Sequence, residues 1–172
     1  LIYKGGIIAK INGNAFTILI RERVLLNLLQ RLCGIATLTN KYVEIAKPFN
    51  VKVLDTRKTT PGLRIFEKYA VACGGGYNHR LNLSTGILIK DNHIKAAGSV
   101  TNAVLKLKER NYELPIELEV DTLEQIEEGL KAGADGFLLD NMPPEKVKEA
   151  VQIIRKQTNG YDIFIEASGG IN

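Results

Sequence analysis

Residues 116–140, IELEVDTLEQIEEGLKAGADGFLLD, decide the fold class, because they contain two short apolar segments separated by one amphipathic segment. The segment at 116–120 alternates between apolar and acidic residues, which predicts a strand. Apolar positions with helical spacing predict a helix over 122–132, and a second strand follows at 136–139. Two strands joined by a helix form a parallel βαβ unit.

The same alternation of strand and helix continues on both sides of this segment. Short strands are predicted at 51–54, 87–89 and 163–165, with helices around 64–73, from about 98 to 110, and over 144–156. Successive parallel βαβ units build either a doubly wound sheet or a (β/α) barrel.

The positions of the ionisable residues favour the barrel. In a barrel the site is assembled at the carboxyl ends of successive strands, whereas a doubly wound sheet gathers its ligands at one switch point. Here an ionisable residue lies at or just after the end of each predicted strand: Asp55, Lys90, Glu119, Asp140 and Glu166, with Ser168 close behind. Five strands are fewer than the roughly eight of a complete barrel, so residues 51–172 are expected to form a part of one.

The first 50 residues differ from this pattern. Glycine and asparagine pairs at 5–6 and 12–14 predict short strands and turns over 1–20, as the remnant of a preceding domain. Residues 21–50 are predicted to form two connecting helices, the first ending at Gly34 and the second just before Pro48.

Composition narrows the class of partner. The 172 residues are 45% apolar and carry a net charge of +4 without a polybasic run, which favours small anionic substrates over nucleic acid or a membrane surface. No apolar stretch approaches the roughly 18 residues of a membrane span. Cys33 and Cys73 have no metal-binding spacing and are expected to be reduced thiols in the cytoplasm.

The segment DTRKTTPGLR, residues 55–64, combines three cations with three hydroxyl side chains in one loop before a helix. Arginine, lysine and hydroxyl groups together bind oxyanions. The alternative is a solvated basic turn that caps the helix, and composition alone does not separate the two interpretations.

Two further segments add cations. In GGGYNHR, residues 74–80, the glycines allow either close approach to a ligand or a tight helix exit. In LIKDNH, residues 88–93, Lys90 could form a Schiff base, could pair with Glu119 or Asp140, or could bind an anion. Anion binding is preferred, because Arg57 and Arg80 are expected at the same barrel mouth.

Carboxylates and glycines complete the pattern. Glu117 and Glu119 alternate along their strand and so face the same side, where Asp140 of the next strand adds a third carboxylate. Such a cluster suits Mg²⁺ together with a substrate phosphate, and the alternative is a salt bridge to Lys90. EASGG, residues 166–170, is similar to the phosphate-binding loop that follows a late barrel strand.

Taken together, these four segments, with RERVLLN at 21–27 and GIAT at 34–37, resemble the quinolinate phosphoribosyltransferase family. The resemblance implies an α/β fold: an open-faced TIM-like barrel, truncated at its C-terminal end and preceded by the tail of an α/β sandwich domain. It also implies a glycosyltransferase of NAD biosynthesis. That enzyme transfers a phosphoribosyl group from phosphoribosyl pyrophosphate to quinolinate with decarboxylation, giving nicotinate mononucleotide, pyrophosphate and CO₂.

The resemblance also implies roles for individual residues. The family uses a homodimer with shared sites, in which Arg23 reaches the neighbouring subunit's pocket. Two departures from the family pattern are Cys33, where serine is usual, and Thr85, where aspartate is common. The implied quinolinate ligands are Arg57, His79, Arg80 and Lys90. Lys58 binds phosphoribosyl pyrophosphate, Glu119 and Asp140 bind its ribose hydroxyls and Mg²⁺, and Ser168, Gly169 and Gly170 hold a phosphate. Thr56 is a further substrate-binding residue, and Lys90, Glu119 and Asp140 are catalytic.

Three other functions are compatible with parts of the sequence. A related phosphoribosyltransferase could act on another aromatic carboxylate such as nicotinate, but four cations favour a diacid, since a single carboxylate would leave buried cations unpaired. A non-catalytic paralogue could bind a phosphorylated metabolite, although Glu119 and Asp140 are both retained. An aldolase acting through Lys90 is the third.

Overall fold

The computed structural model describes residues 2–158 and 163–171. The chain divides into two compact units, Leu1–His79 and Arg80–Asn172. No helix within the described ranges combines the length and apolar character needed to cross a membrane.

The N-terminal unit is built on one long helix, α1, Ala15–Ala46. Asn14 caps it, with its side-chain oxygen accepting the Thr17 N–H at 3.2 Å. The prediction of two helices separated at Gly34 is wrong: glycine costs only about 1 kcal/mol inside a helix, and the flanking helical residues outweigh it. The prediction of strands over 1–20 is also wrong, since residues 2–14 form no strand and the chain is helical from Ala15.

The end of α1 agrees with the sequence signal. Pro48 lies in a 3₁₀ turn, Lys47–Phe49, and Asn50 follows it with a φ of 55°. Proline cannot continue the hydrogen-bond ladder of a helix, so the chain turns here.

The second helix of this unit, α2, spans Arg64–Cys73, as predicted. The glycine run after it packs against α1. A Cβ atom on Gly74 would lie 2.5 Å from the Ala36 carbonyl oxygen, and one on Gly76 would lie 2.8 Å from Thr39 Cγ2. Tight helix exit, rather than approach to a ligand, therefore accounts for these two glycines. The strand predicted at 51–54 is reduced to one parallel bridge between Leu54 and Tyr77.

The C-terminal unit contains a four-stranded parallel sheet: β1 (Ile87–Ile89), β2 (Ile116–Val120), β3 (Gly136–Asp140) and β4 (Phe164–Ser168). The strands lie side by side in sequence order, so among the described strands there is no reversal of the kind that defines a switch point. The helices α3 (Asp91–Ala97) and α4 (Val100–Lys108) connect β1 to β2, α5 (Leu123–Ala132) connects β2 to β3, and α6 (Pro144–Gln157) follows β3.

The register separates the two faces of the sheet. Leu118 pairs with Ile89 and Phe137, and these side chains lie in the buried core with residues of α4, α5 and α6. Each large apolar side chain buried in this way contributes about 1.5–3 kcal/mol. The residues that alternate with them on β2–β4 point to the opposite face, and that face carries Glu117, Glu119, Leu138, Asp140, Glu166 and Ser168.

Candidate active site

The predicted site residues are distributed over both units. The N-terminal unit carries the cationic loop, and the C-terminal unit carries the polar face of the sheet. Arg23, Thr56, Arg57, Lys58 and His79 belong to the N-terminal unit, and Arg80, Lys90, Glu119, Asp140, Ser168, Gly169 and Gly170 to the C-terminal unit.

The register brings the predicted carboxylates to one face of the sheet. Glu119 pairs with Leu138, which pairs with Glu166, and one step further Asp140 pairs with Ser168. Residues paired across parallel strands share a face. Glu119, Asp140 and Ser168 therefore lie on the same face near the carboxyl ends of their strands, as predicted. Glu166 and Ser168 lie within β4, which extends further than the predicted strand at 163–165.

Lys90 joins this face through an ion pair. Its Nζ donates to Glu119 Oε2, and the two side chains are 42% and 16% exposed. Lys90 also precedes α3, where its backbone N–H donates to His93 Nδ1 at 3.0 Å. The salt-bridge alternative for Lys90 is thus realised in the structure. Schiff-base chemistry needs the lysine nitrogen as a nucleophile, whereas the Lys90 nitrogen is held in an ion pair with Glu119.

Glu117 lies one step below Glu119 on the same face and is only 9% exposed. Burial raises the pKa of Glu117 to about 7, and the charge of Glu119 acts in the same direction against the opposing effects of Arg80 and Lys90. Arg80 is oriented by donating from Nη1 to the Gly86 carbonyl oxygen at 2.9 Å. The Glu-Leu-Glu alternation predicts that Glu117 faces this side, and this alternation is the signal in the sequence for a role of Glu117.

The end of β4 has a backbone that favours glycine. Gly169 and Gly170 have φ values of 84° and 65°. A Cβ atom on Gly169 would lie 3.1 Å from both the Cα and the nitrogen of Asn141. The Asn141 N–H donates to the Ser168 carbonyl oxygen at 2.7 Å, which ties the ends of β3 and β4 together. Close packing of these two ends therefore depends on glycine at 169.

In the cationic loop of the N-terminal unit, one of the three cations, Arg64, stabilises the loop through hydrogen bonds to other loop residues. Arg64 Nε donates to Thr59 Oγ1 at 3.1 Å, and Arg64 Nη2 donates to the Arg57 carbonyl oxygen at 3.3 Å. Thr56 Oγ1 accepts the Lys58 N–H at 3.0 Å, and the Lys58 side chain is exposed. Arg57 Nε is buried and has no hydrogen-bond partner among the described residues. A buried donor of this kind is a position that an anion can satisfy.

The residue that opens this loop, Asp55, is part of a buried polar cluster. Asp55 pairs with Lys68 at 2.5 Å, and the two side chains are 8% and 4% exposed. The His79 N–H donates to Asp55 Oδ1 at 2.8 Å, so the backbone of His79 is held by the same group. The carboxylate of Asp55 is therefore used within the fold.

Sequence reasoning missed the partners of this loop on α2. Glu67 and Lys68 are buried, whereas Phe66 and Tyr69 of the same helix are 52% and 68% exposed. Apolar periodicity predicts the opposite arrangement. A possible signal was the adjacent Glu-Lys pair in a helix directly after a loop rich in cations.

Arg23 lies exposed in the first third of α1. Apolar neighbours are exposed as well: Val24 by 63% and Leu25 by 46%. Cys33 is exposed, and Thr85 lies in the turn before β1, where its hydroxyl donates to the Asn82 carbonyl oxygen at 3.4 Å. Neither departure from the family pattern replaces a predicted ligand.

These features define an α/β protein whose parallel strands present two carboxylates, a lysine and a glycine loop near their carboxyl ends, which is where α/β folds place their ligand sites. A family described as "Quinolinate phosphoribosyl transferase, C-terminal domain" matches residues 35–172. The chain belongs to this family.

Individual relatives agree with this assignment. The chain is 48% identical over 172 residues to a probable nicotinate-nucleotide pyrophosphorylase [carboxylating] of Bacillus subtilis, with 99% of this chain and 58% of the relative covered. It is 43% identical to the chloroplastic nicotinate-nucleotide pyrophosphorylase [carboxylating] of Arabidopsis thaliana, with 99% of this chain and 52% of the relative covered.

Solved structures are similar in fold as well. The crystal structure of NadC from Streptococcus pyogenes is 47% identical, with a TM-score of 0.82, covering 93% of this chain and 55% of that one. The nicotinate-nucleotide pyrophosphorylase from Francisella tularensis is 44% identical, with a TM-score of 0.84 and the same coverage. The chain spans a little more than half the length of these relatives.

Proposed function

We propose that the full-length protein transfers the phosphoribosyl group of phosphoribosyl pyrophosphate to quinolinate and releases pyrophosphate and CO₂, so that it is a glycosyltransferase of NAD biosynthesis. The observation that carries this proposal is the polar face of the sheet. Lys90, Glu119, Asp140 and Ser168 share it at the strand ends, next to a glycine loop. Family membership and the printed names of the relatives supply the particular reaction.

The fold proposed for the C-terminal unit is a part of an open-faced TIM-like barrel. Four parallel strands in sequence order, with helices packed on one face and polar residues on the other, match the wall of such a barrel. The polar face would be the interior, and its carboxyl end would be the mouth.

The substrate roles follow from charge and family membership. Arg80 and Lys90 are assigned to the carboxylates of quinolinate, because guanidinium and ammonium groups bind carboxylates strongly. Arg57 and His79 receive the same assignment from family membership, and the buried Nε of Arg57 supports it. Lys58 is assigned to phosphoribosyl pyrophosphate, with Thr56 beside it as a further substrate-binding residue, and Ser168, Gly169 and Gly170 are assigned to a phosphate group.

Glu119 and Asp140 are proposed to hold Mg²⁺ together with the ribose hydroxyls. They fit this ion, since hard carboxylate oxygens on one face are what Mg²⁺ uses when it also binds a phosphate. Glu119 also contacts Lys90, but a carboxylate has enough lone pairs to accept from more than one cation. Bound Mg²⁺ would supply positive charge to the departing pyrophosphate.

The chemistry requires alignment more than a covalent nucleophile. Pyrophosphate leaves the ribose C1 while the pyridine nitrogen of quinolinate bonds to it. The positive charge of the resulting pyridinium then stabilises the electron pair left on the adjacent ring carbon when CO₂ leaves, and that carbon takes up a proton from water. Arg80, anchored by the Gly86 carbonyl oxygen, and Lys90, anchored by Glu119, would hold the diacid in position. Holding two reactants in a reactive alignment can lower the activation free energy by several kcal/mol, on the order of 7–11 at most.

We also propose a homodimer in which Arg23 enters the partner subunit's pocket. Arg23 is exposed on α1, and the apolar side chains of Val24 and Leu25 beside it are exposed too, as expected for a surface that a second subunit covers. The two exposed free cysteines, Cys33 and Cys73, are the basis for proposing a cytoplasmic location.

A substrate panel on the full-length protein tests the reaction. Quinolinate with phosphoribosyl pyrophosphate should release both pyrophosphate and CO₂, and nicotinate should release neither. Pyrophosphate release with nicotinate but not with quinolinate would replace the proposed substrate by a monocarboxylate. Binding of a phosphorylated sugar without any turnover would indicate a non-catalytic paralogue.

The metal assignment has its own test. Glu119→Gln should weaken the use of phosphoribosyl pyrophosphate and its Mg²⁺ dependence far more than quinolinate binding. The exposed Glu113, just before β2, gives the matched control Glu113→Gln, which should behave like the unmodified protein. Loss of quinolinate affinity with an unchanged Mg²⁺ dependence would contradict the assignment.

Complementation tests the shared site. Arg23→Ala and Lys58→Ala should each be inactive, and co-expressed heterodimers should recover part of the activity, because one site then contains both unmodified residues. Heterodimers without any recovered activity would show that Arg23 does not act across the interface.

A further inference from the structure

Two consecutive charged residues of α2 are buried beneath the cationic loop. Glu67 is 7% exposed and Lys68 is 4% exposed. A buried charge is costly unless it is paired and hydrogen-bonded, so the contacts of such residues indicate what the burial accomplishes. Here both residues contact the segment that carries Arg57 and Lys58.

Glu67 holds the C-terminal end of this segment. Its Oε1 accepts from Arg31 Nε at 2.7 Å, and its Oε2 accepts the Thr60 N–H at 3.1 Å. Arg31 Nη2 donates to Thr60 Oγ1 at 2.5 Å, so Arg31 of α1, Glu67 of α2 and Thr60 of the loop form a closed triangle. Burial alone would raise the pKa of Glu67, but the hydrogen bonds from Thr60 and Arg31 outweigh it and lower the pKa.

Lys68 holds the N-terminal end of the segment. Its Nζ donates to Asp55 Oδ1 at 2.5 Å and to the His79 carbonyl oxygen at 3.0 Å. Asp55 in turn accepts from the His79 N–H at 2.8 Å. The start of the loop and the backbone of His79 are therefore fixed to the same helix.

We propose that Glu67 and Asp55, acting through Arg31 and Lys68, are positioning residues that hold the 55–60 loop in its anion-binding shape. The segment between the two anchors contains Arg57 and Lys58, the cations assigned to the substrates. A loop that is fixed before binding loses less conformational freedom when the anion binds. This inference rests on the proposed function only in identifying the anions, which are the pyrophosphate group of phosphoribosyl pyrophosphate for Lys58 and a carboxylate of quinolinate for Arg57.

The two acidic residues, Glu67 and Asp55, allow a decisive test. Loss of positioning and loss of negative charge predict opposite changes in the affinity for an anion. Glu67→Gln removes a negative charge close to cationic residues, so Coulomb attraction alone predicts tighter binding of an anion. Loss of positioning predicts weaker binding, because glutamine cannot accept from both Arg31 and the Thr60 N–H in the same way. For Asp55→Asn, Coulomb attraction likewise predicts tighter binding of an anion, and loss of positioning predicts weaker binding. The exposed Glu44 of α1 gives the matched control Glu44→Gln.

The experiment uses the full-length protein and inorganic pyrophosphate as the probe. Titration calorimetry is run without urea, at a temperature at which circular dichroism shows that every variant is folded. Glu67→Gln and Asp55→Asn should each bind pyrophosphate about tenfold more weakly, whereas Glu44→Gln should not differ from the unmodified protein. Arg31→Lys keeps the charge beside Glu67 but loses the fork that also reaches Thr60, and its affinity should be intermediate.

Steady-state kinetics separates positioning from general destabilisation. The KM for phosphoribosyl pyrophosphate should rise by about tenfold in both acidic variants while kcat changes by less than about threefold. Unchanged or tighter pyrophosphate binding in folded Glu67→Gln and Asp55→Asn would overturn the proposal. Absence of nicotinate mononucleotide formation by the unmodified protein would instead overturn the proposed function, and the pyrophosphate titration would still decide the role of the anchors.

Discussion

Glu117 should make the stability of the protein depend on pH in a direction opposite to that of most carboxylates. This residue is 9% exposed, and burial raises its pKa from the ordinary value of 4.5 to about 7. Because the folded state binds the proton more tightly than the unfolded state, the stability linked to this group is present at low pH. It is lost as the pH rises from about 4.5 to about 7.

The size of this effect follows from the two pKa values. A tenfold difference in proton affinity corresponds to about 1.4 kcal/mol, so a pKa raised from 4.5 to about 7 corresponds to on the order of 3 kcal/mol. Glu117→Gln removes the titration while keeping the shape of the side chain. The stability of this variant relative to the unmodified protein should therefore increase by on the order of 3 kcal/mol between about pH 5 and about pH 8.

Urea denaturation of the full-length protein, followed by circular dichroism without substrate or Mg²⁺, measures this difference. Other titrating groups cancel when the variant and the unmodified protein are compared at each pH. Glu113→Gln removes an exposed carboxylate and is the matched control. A stability difference for Glu117→Gln that stays constant to within about 0.5 kcal/mol over this pH range would refute the reasoning.

Three further predictions concern the glycines and the diacid pocket. Gly169→Ala, with a φ of 84° and Asn141 at 3.1 Å, should cost about 1–2 kcal/mol and raise the KM for phosphoribosyl pyrophosphate, and an unchanged KM would contradict the phosphate role. Arg80→Lys should lower quinolinate affinity in calorimetry by about tenfold or more, because the planar fork is lost; near-normal affinity would make Arg80 structural. Gly74→Ala should destabilise the protein in urea by about 1–3 kcal/mol, whereas Gly34→Ala, with open space around it, should stabilise it by up to about 1 kcal/mol. The opposite order would contradict the observed packing.

The sequence determined the elements whose signals are local. Alternation at 116–120 and helical spacing at 122–132 predicted β2 and α5 to within one residue, because burial of one face imposes those periods directly. The shared face of Glu117 and Glu119 followed from the same alternation. The family motifs also located the candidate residues, because anion binding requires particular side chains in short segments.

Only the tertiary structure decided how the charged residues are used. Gly34 was a plausible helix end, but α1 continues through it, since a penalty of about 1 kcal/mol is small beside the helical residues on both sides. The burial of Glu67 and Lys68 could not be predicted from apolar periodicity, because their partners, Arg31 and Asp55, are distant in sequence. Whether a charge is exposed, bound to a ligand or paired inside the fold depends on which groups the folded chain places beside it.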